Sequence, residues 1–205
     1  MRELVNNLKK LGVLKSPKII EAFLANDRRR FVASEYADLA YEDMPLPIGA
    51  GQTISQPYTV AFMLELLQPQ PGQKILDIGA GSGWTAALLA HIVGPKGKVY
   101  ALEVVPELCE FARANFEKFH YPNLELKRQS GWEGLPARAP FDRILVSAAA
   151  RAVPRVLKQQ LGVPGRMVIP VGGEFIQSVK LIEKTAADKL REKDYPGFAF
   201  VPFVK

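Results

Sequence analysis

Cysteine and histidine are scarce in this chain, which contains one cysteine, Cys109, and two histidines, His91 and His120. A single cysteine cannot form an intrachain disulfide, and these three residues do not have the spacing of a zinc site. The sequence therefore predicts no bound metal. It also fits a reducing compartment, for which we expect the cytoplasm.

Long apolar runs are also missing. No segment approaches the ~20 consecutive apolar residues that span a bilayer. Charged residues interrupt the apolar positions of the first fifteen residues, unlike the uninterrupted apolar stretch of a secretory signal. We therefore expect neither a membrane span nor a secretory signal.

A concentrated patch of basic charge is missing as well. The chain has 27 Lys and Arg against 21 Asp and Glu, which gives a formal net charge of +6. The basic residues are scattered, and only residues 27–31, DRRRF, form a tight cluster. We interpret this cluster as a solvated face and do not expect a nucleic-acid interface.

Short apolar runs and helical segments alternate from residue 73 onward, which is typical of a parallel sheet covered by helices on both faces. The first forty residues have helical spacing, and two segments near the end resemble antiparallel edge strands. The predicted strands are 74–79, 98–104, 124–128, 142–148, 166–172, 174–184 and 197–205, and the predicted helices between them are 83–93, 106–119 and 152–160. The predicted fold class is α/β, a Rossmann-like, doubly wound and mostly parallel sheet. Because 205 residues with 48% hydrophobic content suit one core, we expect a single domain over 1–205.

A glycine loop follows the first strand of the predicted parallel sheet, in residues 75–84, ILDIGAGSGW. Its glycines are Gly79, Gly81 and Gly83, and Trp84 occupies the place of the third glycine in a dinucleotide fingerprint. The dinucleotide interpretation therefore fails on spacing. What remains is an acid, Asp77, that can meet a cationic amino group, followed by glycines that let a ligand approach the backbone.

A second acid, Glu103, ends the next predicted strand, where a carboxylate can accept hydrogen bonds from both hydroxyls of a ribose. Together with the loop, it resembles the class I methyltransferases that use S-adenosylmethionine. This resemblance implies a cofactor site formed by Asp77, Gly79, Gly81, Gly83 and Glu103. The predicted core, 57–172, is then the cofactor-binding part of the domain, between a preface with an active-site loop (1–56) and C-terminal strands (173–205).

The polar run from Gln52 to Gln56 directly precedes an apolar helix that begins near Pro57. On spacing alone, Ser55 or Thr53 caps this helix, since proline in the first turn needs no N–H partner. However, the whole segment 46–67, LPIGAGQTISQPYTVAFMLELL, closely resembles the one that precedes the glycine loop in protein-L-isoaspartate O-methyltransferases. Further similar segments span nearly the whole chain: FVASEYADLAYEDMPLPIG (31–49), ILDIGAGSGW, APFDRILVSAAARAVPRVL (139–157), GRMVIPVGG (165–173) and FVPF (200–203).

The resemblance implies S-adenosylmethionine-dependent methylation of the free carboxylate of L-isoaspartyl residues in damaged proteins and peptides, a repair reaction. It makes Ser55 the catalytic residue, with Thr53 and main-chain groups near Ala148 and Ala149 as further substrate contacts and Ile54 beside the cofactor. A carboxylate is ionised far above its pKa of ~4, so no general base is required. Catalysis then depends on orientation, which a hydroxyl that donates to one carboxylate oxygen provides.

The chain departs from this family after the third predicted strand, where an acid in a Gly-Asp-Gly motif typically lies near the adenine. Here Gln129 and Ser130 occupy the first two positions, so we expect a neutral contact where the family has a charged one. Three alternatives stay open: a carboxylate methyltransferase for a dedicated peptide or small acid, a non-catalytic nucleoside-binding homologue, and, supported only by net charge, an RNA methyltransferase.

Overall fold

A seven-stranded sheet forms the centre of the computed structural model, which describes residues 1–204. The strands, of which β3 to β9 form this sheet, are β1 (Leu46–Gly49), β2 (Gln52–Ile54), β3 (Lys74–Ile78), β4 (Lys98–Glu103), β5 (Leu124–Arg128), β6 (Phe141–Val146), β7 (Leu161–Gly172), β8 (Gln177–Ala186) and β9 (Lys189–Phe198). The helices are α1 (Arg2–Lys10), α2 (Pro17–Ala25), α3 (Pro57–Leu67), α4 (Trp84–Val93), α5 (Pro106–Phe119) and α6 (Arg155–Gln160).

The sheet has the order β5-β4-β3-β6-β7-β8-β9. All pairs from β5 to β7 are parallel, whereas β8 and β9 are added antiparallel at one edge. Successive side chains of the central strands enter different cores. Ile75 packs with the core that contains α1 to α4, and Leu76 packs with the core beneath α6. Because both faces of the parallel strands are buried, their sequences are apolar runs, and the predicted doubly wound α/β fold is confirmed.

The prediction for the last strand was wrong. Strand β9 comprises Lys189–Phe198, whereas the predicted strand is 197–205, of which Lys205 lies outside the described residues. Nearly every β9 side chain is exposed at the sheet edge, so no apolar alternation marks it, and its register comes from the hairpin with β8. The apolar residues after Phe198 instead form a C-terminal tail, residues 199–204, that runs into the cleft described below.

The preface, residues 1–56, contains the two predicted helices, α1 and α2, in its first half. Its second half contains two short 3-10 turns, Arg28–Arg30 and Ser34–Leu39, and a hairpin in which Leu46 of β1 pairs with Ile54 of β2. The hairpin turn has positive φ at Gly49, Ala50 and Gly51, which suits this glycine-rich stretch. The apolar residues Leu46, Ile48 and Ile54 belong to the large core and hold the hairpin against the sheet.

None of the helices in residues 1–204 has the length and apolar character needed to cross a membrane. In the same residues, no group of three or more histidine, cysteine or acidic side chains could hold a metal ion.

Candidate active site

A cleft lies at the carboxyl ends of β3, β4 and β6, the edge where open α/β sheets bind ligands. The glycine loop, the β1–β2 hairpin and the C-terminal tail enclose it. The predicted site residues that line it are Thr53, Ile54, Ser55, Gly79, Gly81, Glu103, Gln129 and Ala148. Those that do not line it are Asp77, Gly83, Ser130 and Ala149.

The glycine loop packs directly against the hairpin. Gly81 has φ +54°, and a Cβ there would lie 3.1 Å from Cδ1 of Ile48. Gly83 has φ +88°, and a Cβ there would lie 2.5 Å from the ring of Phe116. Any other residue would therefore strain the backbone and push against a neighbouring side chain at both positions.

Glu103 braces the glycine loop from the neighbouring strand. Its Oε2 accepts a hydrogen bond of 2.7 Å from the Gly81 N–H, and its Oε1 accepts from the N–H groups of Val104 and Val105 at 2.8 and 3.0 Å. Each carboxylate oxygen has two lone pairs, so these bonds leave acceptor capacity toward the cleft. The ribose contact stays a prediction, and the structure adds a second role, that of shaping the loop.

Asp77 is completely buried at the end of β3, and neither of its side-chain oxygens has a hydrogen-bond partner among residues 1–204. Burial, assisted by repulsion from Glu103, raises the pKa of Asp77 to about 8. A buried acid without a donor is costly. The donor that it lacks matches the cationic amino group of an amino-acid-bearing nucleoside, so the residues present fit such a ligand.

Ser55 does not cap α3, and neither does Thr53. The N-cap residue is Gln56, and the side chain of Asp43 supplies the capping bond by accepting from the Tyr58 N–H at 2.8 Å. The capping interpretation was therefore wrong. The half-buried Ser55 side chain makes no hydrogen bond to any residue in 1–204 and keeps its hydroxyl available for a ligand.

A second groove adjoins the cleft on the side of α3 and the C-terminal tail. Aromatic and small residues dominate its walls, among them Tyr58, Phe198 and Phe200. The residues that line both the groove and the cleft are Thr53, Ser55, Ser147 and Val201. Ser55 thus lies at the junction of two cavities, where groups from two bound molecules can meet.

The predicted substrate contact at Ala149 finds no support in this geometry. The Ala149 N–H donates to the Val201 carbonyl at 2.8 Å, and the Ala149 carbonyl accepts from the Phe203 N–H at 2.9 Å. The C-terminal tail thus already occupies this main chain like an added strand. Ala148, which is buried and lines the cleft, keeps its predicted place beside the ligand.

Ser130 faces the tail rather than the cleft. Its hydroxyl accepts from the Trp132 N–H at 3.2 Å and donates to the Val204 carbonyl at 3.5 Å. Gln129 lines the cleft, although its amide nitrogen donates to the Gly134 carbonyl at 3.1 Å. Gln129 is therefore better placed than Ser130 for the predicted contact with an adenine.

Sequence reasoning missed several residues of the site. Ser147 lies directly after β6, so the rule that selected Glu103 at the end of β4 could have found it. The tail residues Val201 to Val204 were interpreted as a strand, and no local signal places them in the cleft. Arg28 was assigned to a solvated cluster, yet it is fully buried and bonded to the main chain at Ser55.

The sheet order, the glycine loop and the acid at the end of β4 define a class I methyltransferase of the type that uses S-adenosylmethionine. Residues 1–205 match the family model of protein-L-isoaspartate(D-aspartate) O-methyltransferase, and the chain belongs to this family.

Relatives and solved structures agree with this assignment. Protein-L-isoaspartate O-methyltransferases of Aeropyrum pernix and Methanopyrus kandleri are each 48% identical over 202 residues, which cover 98% of this chain and 78% and 89% of theirs. A protein assigned to the same activity from Plasmodium falciparum, crystallised in complex with S-adenosyl-L-homocysteine, superposes with a TM-score of 0.87 at 25% identity over 98% of this chain and 97% of its own.

Proposed function

We propose that this protein is an S-adenosylmethionine-dependent methyltransferase that acts on the free carboxylate of L-isoaspartyl residues in damaged proteins and peptides. One observation of the molecule carries the proposal. Ser55, whose hydroxyl has no partner in residues 1–204, lies where the cofactor cleft meets an open groove with aromatic walls. Family membership supplies the substrate class.

The cleft holds the cofactor through contacts of three kinds. The backbone of Gly79 and Gly81 lies against the ligand, Glu103 faces the ribose, and Asp77, which is buried directly behind Ile78 and Gly79 of the cleft wall, receives the amino group once the ligand opens a path to it. When bound, S-adenosylmethionine supplies a methyl group that is activated by a positively charged sulfur. The chain therefore needs no metal ion or general base of its own for this reaction.

The groove holds the polypeptide that carries the damaged residue. Its open shape and its aromatic and small side chains suit an extended chain of varied sequence rather than one small acid. The substrate carboxylate enters the junction already ionised, because its pKa of ~4 lies far below neutral pH. Ser55 donates a hydrogen bond to one carboxylate oxygen and thereby directs the other oxygen toward the cleft.

The deciding experiment compares two peptides that differ only in one residue, L-isoaspartyl in one and L-aspartyl in the other. With labelled S-adenosylmethionine, we expect methyl incorporation into the isoaspartyl peptide and at least a hundredfold lower rate with its aspartyl twin. Equal rates would point to a general carboxylate methyltransferase. Binding of S-adenosylhomocysteine without methylation of either peptide would point to a non-catalytic homologue.

We propose cytoplasmic action, for which the free and buried Cys109 is the supporting feature. We also propose that nucleic acids are not substrates, because the residues among 1–204 that line the groove are all neutral and include no lysine or arginine.

A further inference from the structure

Arg28 is the one arginine that is fully buried among the described residues, and it lies outside both cavities. It belongs to the DRRRF cluster, whose next two arginines are exposed. Burial lowers the pKa of Arg28 to about 10, and the Asp43 carboxylate opposes this effect, so the guanidinium stays charged at neutral pH. A charge buried in this way is stable only when several hydrogen bonds replace the water that it has lost.

The guanidinium donates to four main-chain carbonyls. Nη1 donates to Ala40 at 2.9 Å and to Glu42 at 3.3 Å, and Nη2 donates to Met44 at 2.9 Å and to Ser55 at 3.1 Å. The first three carbonyls belong to one irregular segment, residues 40–44. The fourth belongs to the residue whose hydroxyl lies at the junction of the two cavities.

The main chain at Ser55 depends on this contact. Ser55 lies between the end of β2 and the start of α3, so neither a strand ladder nor a helix fixes its peptide groups. On its other side, the Asp43 cap on Tyr58 ties α3 to the same segment 40–44. Arg28 completes this set of contacts, because its guanidinium bonds both to the Ser55 carbonyl and to the carbonyls of segment 40–44.

The same guanidinium also contacts the cofactor side of the site. Its Cζ lies 5.5 Å from the centre of the Trp84 ring. Trp84 is the first residue of α4, directly after the glycine loop, and it lines the cleft. The indole N–H donates to the Asn26 carbonyl at 3.0 Å, which fixes the ring against the segment that precedes Arg28. Arg28 therefore connects the active-site serine with the wall of the cofactor cleft.

We propose that Arg28 is a positioning residue for methyl transfer, which holds the Ser55 main chain so that its hydroxyl points into the junction of the two cavities. This inference rests on the proposed function of Ser55. A planar fork of donors is required, because a lysine ammonium in the same place cannot reach two pairs of carbonyls in fixed directions.

The test is a double-mutant cycle with Arg28→Lys and Ser55→Ala, measured with the isoaspartyl peptide. We expect Arg28→Lys to lower kcat at least tenfold, while KM for S-adenosylmethionine and Kd for S-adenosylhomocysteine change less than threefold. In the Ser55→Ala background, the same lysine substitution should lower kcat less than twofold, because it acts through the missing hydroxyl. Equal losses in both backgrounds would overturn the proposal, since Arg28 would then act independently of Ser55.

Arg29→Lys is the matched control. Arg29 belongs to the same 3-10 turn, but its side chain is half exposed and pairs with Asp38, so its substitution should leave kcat and KM unchanged. Arg28→Gln serves as a second variant if Arg28→Lys does not bind S-adenosylhomocysteine. Loss of binding and of folding in both would overturn the proposal, since Arg28 would then serve the fold alone.

The outcome also separates this inference from the proposed function. A wild-type protein that does not methylate the isoaspartyl peptide would overturn both. An active wild type with unchanged kcat in Ser55→Ala would overturn the roles of Ser55 and Arg28, and would leave the methylation of isoaspartyl residues intact.

Discussion

The two walls of the cleft are built in different ways. The wall formed by the sheet consists of the glycine loop and the ends of β3, β4 and β6, and regular hydrogen bonding between parallel strands fixes its position. The opposite wall consists of the β1–β2 hairpin, Ser55 and the C-terminal tail, which come from distant parts of the chain and meet only in the folded molecule. In the proposed function, the sheet wall contributes mainly to cofactor binding and the irregular wall carries Ser55, which orients the substrate.

Gly81→Val should have the largest effect, and it acts where the glycine loop of the sheet wall packs against Ile48 of the hairpin. A branched side chain at φ +54° strains the backbone and collides with Ile48, so the loop has to move away from its ligand. We expect S-adenosylhomocysteine affinity to fall at least a hundredfold in isothermal titration. Circular dichroism checks that the variant is folded. Wild-type affinity in a folded variant would remove this loop from the site.

Ser55→Ala should affect the irregular wall alone. The variant loses one hydrogen bond to a charged carboxylate, a contact that contributes about 1.5–3 kcal/mol, so turnover of the isoaspartyl peptide should fall roughly ten- to a hundredfold. Binding of S-adenosylhomocysteine should stay within about threefold. Because Asp43 caps α3, thermal stability should hardly change. A melting temperature lowered by several degrees with equal loss of cofactor affinity would contradict the separation of the two walls.

Asp77→Asn tests whether the buried acid meets a cation. With a pKa of about 8, the free protein holds Asp77 protonated at neutral pH, and a bound amino group favours the ionised form. Binding should therefore release a proton, and affinity should rise by up to about tenfold per pH unit between pH ~6 and about 8. Asp77→Asn should abolish this dependence. Titrations in buffers of different ionisation enthalpy measure the released proton, and a pH-independent wild type would argue against the amino-group contact.

The same variant changes stability in a predictable direction. The folded pKa lies above the unfolded value of ~4, so the folded state binds more protons between the two values. The unliganded protein should therefore lose stability as pH rises from ~4 to about 8. Asp77→Asn should remove this contribution, which chemical denaturation across that range can measure.

Ser130→Asp should have the smallest effect. Ser130 faces the tail, so a carboxylate there would accept from the Trp132 N–H but would also face the Val204 carbonyl without a donor. We expect the affinity for S-adenosylhomocysteine to change less than about threefold. Tightening by five- to thirtyfold, about 1–2 kcal/mol, would show that the residue reaches the adenine after all.

Sequence reasoning succeeded where local rules decide the structure. The strand Leu124–Arg128 and the helix Pro106–Phe119 have the predicted bounds, because apolar runs, turn residues and proline at a helix start are local signals. The same signals located Gly79, Gly81 and Glu103 at the cleft. The edge strand β9 escaped detection because its exposed side chains show no apolar pattern.

The irregular wall could be predicted only in part. Ser55 was found through a family resemblance, while spacing alone favoured a helix cap that Asp43 in fact provides. The burial of Arg28 could not be inferred from a cluster of three arginines, since only the fold decides which of them turns inward. For the same reason, the contact between Ala149 and the tail has no local signature.

The pairing of the C-terminal tail with Ala149 has a consequence for the way in which the protein opens. Only two main-chain hydrogen bonds, made by Val201 and Phe203, attach the tail to Ala149. The neighbouring strands β7 and β8, in contrast, are paired by a continuous ladder. Residues of the tail, the hairpin and the sheet all line the cleft, so a ligand bound there would connect the tail to the hairpin and stabilise both segments. Amide hydrogens of residues 46–54 and 199–204 should then slow their exchange with deuterium together when S-adenosylhomocysteine binds, as one cooperative unit.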